Sequence, residues 1–124
     1  MSADEAGEGL PSLAPEFGHG LRSVVGAYRA ACGTLRILDA DRASAEVFAE
    51  QTDRREEARR LLIETHERPD LAALLAREDA LQTEERAIRN TRRRKVDPVT
   101  TARLRAVTAA IRTLMSAEVG QPDR

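Results

Sequence analysis

The side chains able to do chemistry are few in this chain, and they are scattered. His19 stands between two glycines, His66 lies three residues before Pro69, and Cys32 is the single cysteine. Neither histidine has a second His or Cys at ligand spacing. Glu64 and Glu67 flank His66, but a di-metal helical bundle repeats its Glu-x-x-His pairing on a second helix, and this sequence does not. A nucleophilic Cys32 would need a base and an oxyanion-binding group beside it. Next to an apolar helical seam, a small buried thiol is the ordinary outcome. Gly18-His-Gly20 is followed by no Lys-Ser/Thr pair, so it is no phosphate-binding loop. The reading is of a protein that is not an enzyme, with no cofactor, no metal and no small-molecule substrate.

The elements around these residues are helices. Phe17, Leu21, Val24, Tyr28, Ala31, Leu35 and Leu38 recur at spacings of four and three, one seam of a helix. That frame slips at 39–44, where continuing it would place Arg42 and Thr52 in the core. The passage holds neither Gly nor Pro, so it reads as a bend or stutter in a long helix, with a true turn as the alternative. Residues 42–67 are charged, and Glu50–Arg54, Glu56–Arg60 and Glu64–Arg68 stand acid before base at the favourable i, i+4 spacing. Arg68-Pro69-Asp70 breaks the pattern, with Pro69 suited to a first helical turn. Leu71, Leu74, Leu75, Leu81 and Ile88 mark the next helix. Asp97-Pro98 is the best boundary, an N-cap followed by proline at the first helical position. The last helix stops at Gly120 with Pro122 behind it. No alternating β pattern appears. The expected fold is all-α, an elongated antiparallel bundle or hairpin of three to four helices. Residues 1–14 are expected to be a disordered acidic tail, 15–119 one helical domain, and 120–124 a disordered end.

Composition sets how well such helices can hold together. Leu, Ile, Val and Phe make up about a fifth of the chain, there is no Trp, and only two Phe and one Tyr are present. Alanine favours helix strongly but buries little area. Helices therefore form readily here, while tertiary packing stays thin and a bound partner or second copy would add stability. One cysteine permits no internal disulfide, and no apolar run approaches a membrane span. The acidic, Gly- and Pro-bearing first residues are unlike a signal peptide. The expectation is a cytoplasmic protein with no membrane association.

Two features suit a macromolecular partner. Leu104, Val107, Ile111, Leu114 and Met115 form an apolar stripe on the last helix, read as core or as a docking face for an amphipathic partner helix. Arg92, Arg93, Arg94 and Lys95 form a basic run that could meet an acidic protein or phosphates, with Arg86, Arg89, Arg103 and Arg105 widening it. Cations in a last helical turn also satisfy the helix dipole and exposed carbonyls, and no aromatic stands nearby to stack on bases.

The segment Leu38-Asp-Ala-Asp-Arg-Ala-Ser-Ala-Glu-Val-Phe-Ala-Glu-Gln-Thr-Asp-Arg-Arg-Glu-Glu-Ala-Arg-Arg-Leu-Leu62 resembles the second half of the long first helix in flagellar type III export chaperones of the FliT and FlgN kind. Leu71-Ala-Ala-Leu-Leu-Ala-Arg-Glu-Asp-Ala-Leu-Gln82 is similar to the helix that follows it. Length and helix count agree over roughly residues 17–118. The resemblance implies a small cytoplasmic protein without catalytic residues that binds a secretion substrate and delivers it for export. The function expected is thus a non-enzymatic helical adaptor with a protein partner. The alternatives are a nucleic-acid-associated factor using Arg86–Arg105, or a self-assembling homo-oligomer.

Overall fold

A computed structural model describes residues 18–41, 44–91 and 97–120, and among these it is all-α, without a strand. Four helices follow in order: α1 (Leu21–Asp41), α2 (Ala45–Arg60), α3 (Pro69–Asn90) and α4 (Pro98–Gly120). A π-helical segment, Leu61–Thr65, continues α2. The expected tails at 1–14 and 120–124 lie outside the described residues, apart from Gly120, with which α4 ends. Where the sequence suggested one domain over 15–119, the contacts gather into two compact units, one ending at Glu67 and one beginning at Arg68.

In the first unit α1 and α2 pack as a hairpin. Val24, Tyr28, Ala31 and Leu35 repeat the seam legible in the sequence, and all four are buried, together with Val25 and Cys32 beside them. The expected bend at 39–44 is a correction. The helix does not continue: α1 ends at Asp41 and a new helix starts at Ala45. Ser44 supplies the stop-and-start signal without Gly or Pro. Its extended backbone (φ −63°, ψ 154°) leaves the helical basin, and its Oγ accepts from the Val47 amide at 3.3 Å. At the other end of the hairpin the His66 ring Nε2 lies 2.7 Å from the His19 carbonyl. A carbonyl only accepts, so this contact places the proton on Nε2. The start of α1 and the end of the α2 run therefore meet, which makes the pair antiparallel.

The π segment accommodates two adjacent leucines. In a regular α-helix Leu61 and Leu62 would point about 100° apart, and the wider π turn brings them closer to one direction. Here both are buried, and the wide turn closes with His66 N–H donating to the Leu61 carbonyl at 3.0 Å. Glu67 then reverses the chain at φ 55°, in the left-handed region, and it is the one non-glycine residue there among those described. Such a conformation costs a β-carbon-bearing residue roughly 1–2 kcal/mol. Glu67→Gly is accordingly expected to stabilise the protein by roughly 0.5–1 kcal/mol, part of the gain being lost to the freer unfolded chain. A thermal melt showing no gain would mean that the Glu67 side chain contributes as much as its backbone loses.

The second unit begins as the sequence indicates, with Pro69 in the first turn of α3. Arg68 spans to the Asp70 carboxylate through Nε at 3.1 Å and Nη2 at 3.0 Å, and Asp70 Oδ1 accepts from the Leu71 amide at 2.8 Å. Asp97 caps α4 by accepting from the Val99 amide at 3.1 Å. Three carboxyl–hydroxyl contacts cross between α3 and α4: Glu78 with Thr108 at 2.9 Å, Glu84 with Thr100 at 3.3 Å and Glu85 with Thr101 at 3.4 Å. From Glu84 and Glu85 back to Glu78 the partners advance from Thr100 and Thr101 to Thr108, so these two helices are antiparallel as well. Leu71, Ala72, Leu75, Leu81, Val107 and Ile111 are buried in this unit. Leu74 and Ile88, expected on the same face, are half-buried.

Candidate functional site

The residues singled out for chemistry do not assemble into a reaction centre. His66 and His19 do come together, but the contact is ring to backbone, and it closes a helical hairpin. Sequence spacing could not reveal this, because the partners are far apart in the chain and one of them is a carbonyl. Cys32, the single cysteine, is buried within α1. Among the described residues no three of His, Cys, Asp and Glu gather so as to hold a metal ion, and no helix is long and apolar enough to cross a membrane.

The apolar stripe of α4 turns inward. Val107 and Ile111 are buried, while Leu104, Leu114 and Met115 are half-buried. A partner landing on the folded unit does not reach Val107 or Ile111. The basic run Arg92–Lys95 lies outside the described residues. Its wider neighbours Arg86, Arg89, Arg103 and Arg105 are exposed, and Arg89 approaches Glu85 at 4.0 Å.

The charges of α2 are largely matched within the helix. Arg54 pairs with Glu50 at 3.3 Å, as its spacing predicts. The other two expected pairs are corrections. Arg55, not Arg60, meets Glu56 at 3.3 Å, and Arg60 sits between Glu57 and Glu64. The helix breaks before Arg68, which turns to Asp70. Glu57 and Glu64 hold the Arg60 guanidinium above its already high ordinary value, mainly through the side-chain hydrogen bonds. Arg68, again chiefly by hydrogen bonding, keeps Asp70 below the usual carboxylate range, assisted by the Leu71 amide. These exposed pairs steady the helix surfaces and present no acid or base poised for proton transfer.

Several bulky apolar side chains stand on the surface. Ile37 is 52% exposed, Phe48 41% and Val99 51%, with Val47 close behind. The first three of these positions in chain order, Ile37, Val47 and Phe48, flank the turn between α1 and α2, and Val99 opens α4. Along α4, Arg103, Arg105 and Arg112 are exposed, and between Pro98 and Ala117 the helix carries no carboxylate at all. Comparison with known proteins adds no relative: no family model, curated protein or solved structure matches the chain.

Proposed function

We propose that this protein is a non-enzymatic helical adaptor that binds a protein partner, in the manner of a cytoplasmic export chaperone receiving a helical segment of its substrate. The observation that carries the reading is where the bulky apolar side chains stand. The chain has few of them, yet Phe48, one of only two phenylalanines, is left 41% exposed, and Ile37 and Val99 more so. Folding alone gains from burying such groups, at about 25 cal/mol per Å². A surface that keeps them is suited to a partner that covers them.

The test is affinity purification of the tagged full chain with chemical crosslinking and mass spectrometry, beside a thermal melt. A specific protein partner that raises the melting temperature of an otherwise easily melted helical chain is expected. A high-melting monomer that captures nothing reproducibly overturns the reading.

A nucleic-acid-associated role has one observation in its favour, the exposed arginines at 86, 89, 103 and 105. It requires binding that falls steeply with salt and weakens when Arg92, Arg93 and Arg94 become glutamate. Absence of binding to DNA and RNA at low salt dismisses it. Self-assembly is read directly from light scattering over a range of concentrations.

A further inference from the structure

We infer that the turn end of the α1–α2 hairpin is a docking surface, and that its occupant is a basic amphipathic helix of a partner protein. The inference rests on the adaptor reading and deepens it by naming the face and the chemistry that fits it.

Val47, Gln51, Arg54 and Ala58 follow one another at spacings of four, three and four, so they share one side of α2. Ala58 is fully enclosed, Gln51 and Arg54 are half-buried, and Val47 is 39% exposed. Phe48, 41% exposed, stands one position over, and Thr52 and Arg55 behind it are half-buried. Burial therefore falls from Ala58 to Val47 along the side on which α2 packs. Val47 and Phe48 are not on the solvent side of the helix. They continue its packing face beyond the point where the cover ends. Leu38, in the last turn of α1 at the same end of the hairpin, is half-buried too. A third helix seated there covers these apolar groups, its ridges entering the grooves of the pair.

Charge selects the occupant. From Ser44 to Asp53 the chain carries Glu46, Glu50 and Asp53 and no basic residue. The three recur at spacings of four and three, which makes an acidic edge beside Val47. Arg54 meets Glu50 at 3.3 Å, yet the Glu50 side chain stays 52% exposed, and three carboxylates stand against that one guanidinium. A partner helix with an apolar face and lysines or arginines along its margin complements both features. The first sixteen residues of this chain, with Asp4, Glu5, Glu8 and Glu16 and no basic residue, meet like charge here. A second copy bringing the same face does as well. Nucleic-acid backbones and anionic membranes, which attract basic surfaces, are disfavoured for the same reason.

The probe is a fluorescent synthetic peptide about three heptads long, with leucines on one face and lysines along its edges. Titrated with the full-length protein at low salt, it is expected to bind. Binding should weaken roughly tenfold or more with V47Q/F48Q, which removes the apolar anchors, and several-fold with E46Q/D53N. Glutamine is a good helix former and both positions of the first pair are exposed, so the fold should hold, as circular dichroism verifies. The second pair leaves every apolar residue in place and tests the charge alone. Three results overturn the inference: equal binding of a peptide with glutamate in place of lysine, indifference to both double substitutions, or a photocrosslink from position 48 to this chain's own residues 1–17 or to a second copy in place of the peptide. The native partner separates this inference from its parent. A partner protein that crosslinks from position 99 and never from position 48 leaves the adaptor standing and removes this face. No protein partner at all removes both.

Discussion

Replacing Ile111 by alanine is expected to cost about 2–5 kcal/mol, enough to unfold much of this protein near body temperature. Ile111 is fully buried, in a unit whose other wholly enclosed large side chains are Leu71 and Leu75. Truncation removes the transfer free energy of three carbons and leaves a void that neighbours close only in part. In a core this small the loss is a large fraction of the total, since domains are stable by only about 5–15 kcal/mol. Leu114→Ala, at a half-buried position on the same helix, should cost distinctly less. Urea titrations followed by circular dichroism compare the two. The experiment also decides what the stripe is for. If Ile111→Ala left the melting curve in place and abolished partner binding, this residue would belong to an interface and its burial here would be misleading.

That stripe shows how far residue types and spacing reach. They locate the amphipathic helix and its boundaries, because Asp97-Pro98 and Pro69 act through local backbone chemistry that needs no knowledge of the rest of the fold. They show equally well that residues 104–115 have an apolar face. They do not say whether that face meets the chain's own α3 or another molecule, since burial is a property of the assembled unit. The same limit explains Glu78. Its neighbours alternate in charge and read as a solvated surface, yet only 5% of the residue is exposed, because Thr108 on the antiparallel helix lies across from it.

The turn after α1 was legible only as a phase slip. Ser44 carries the necessary cap, but serine is common enough that its presence alone does not mark a break. The frame of α2 was hard to follow for a second reason: the π segment shifts the phase where Leu61 and Leu62 are buried together. A periodicity argument assumes a constant turn, and that assumption fails at this point.

The Glu78–Thr108 contact is where polar chemistry enters the interior, and its energetics should be asymmetric. Thr108→Val keeps the shape of the side chain and removes the hydroxyl that donates to Glu78 at 2.9 Å. A buried carboxyl group that loses a donor is left less well solvated, at a cost of about 1–3 kcal/mol. Thr108 is not the sole group interacting with Glu78, so the lower half of that range is expected. Glu78→Leu made in the Thr108→Val background should recover part of the loss, because apolar groups of similar size replace buried polar ones at little cost, while the other group that interacts with Glu78 is left unmatched. Stability then suffers less than specificity. The three carboxyl–hydroxyl contacts at 78–108, 84–100 and 85–101 all bridge the same antiparallel helix pair, and the first of them lies farthest from the end of α3. Removing it leaves α3 and α4 keyed only near the turn, where Glu84 and Glu85 remain. A double-mutant cycle in urea measures the coupling, and amide exchange along α4 reports the loosened end. A neutral Thr108→Val would show that the hydroxyl holds nothing in place, and Glu78 would then owe its burial to its other contacts.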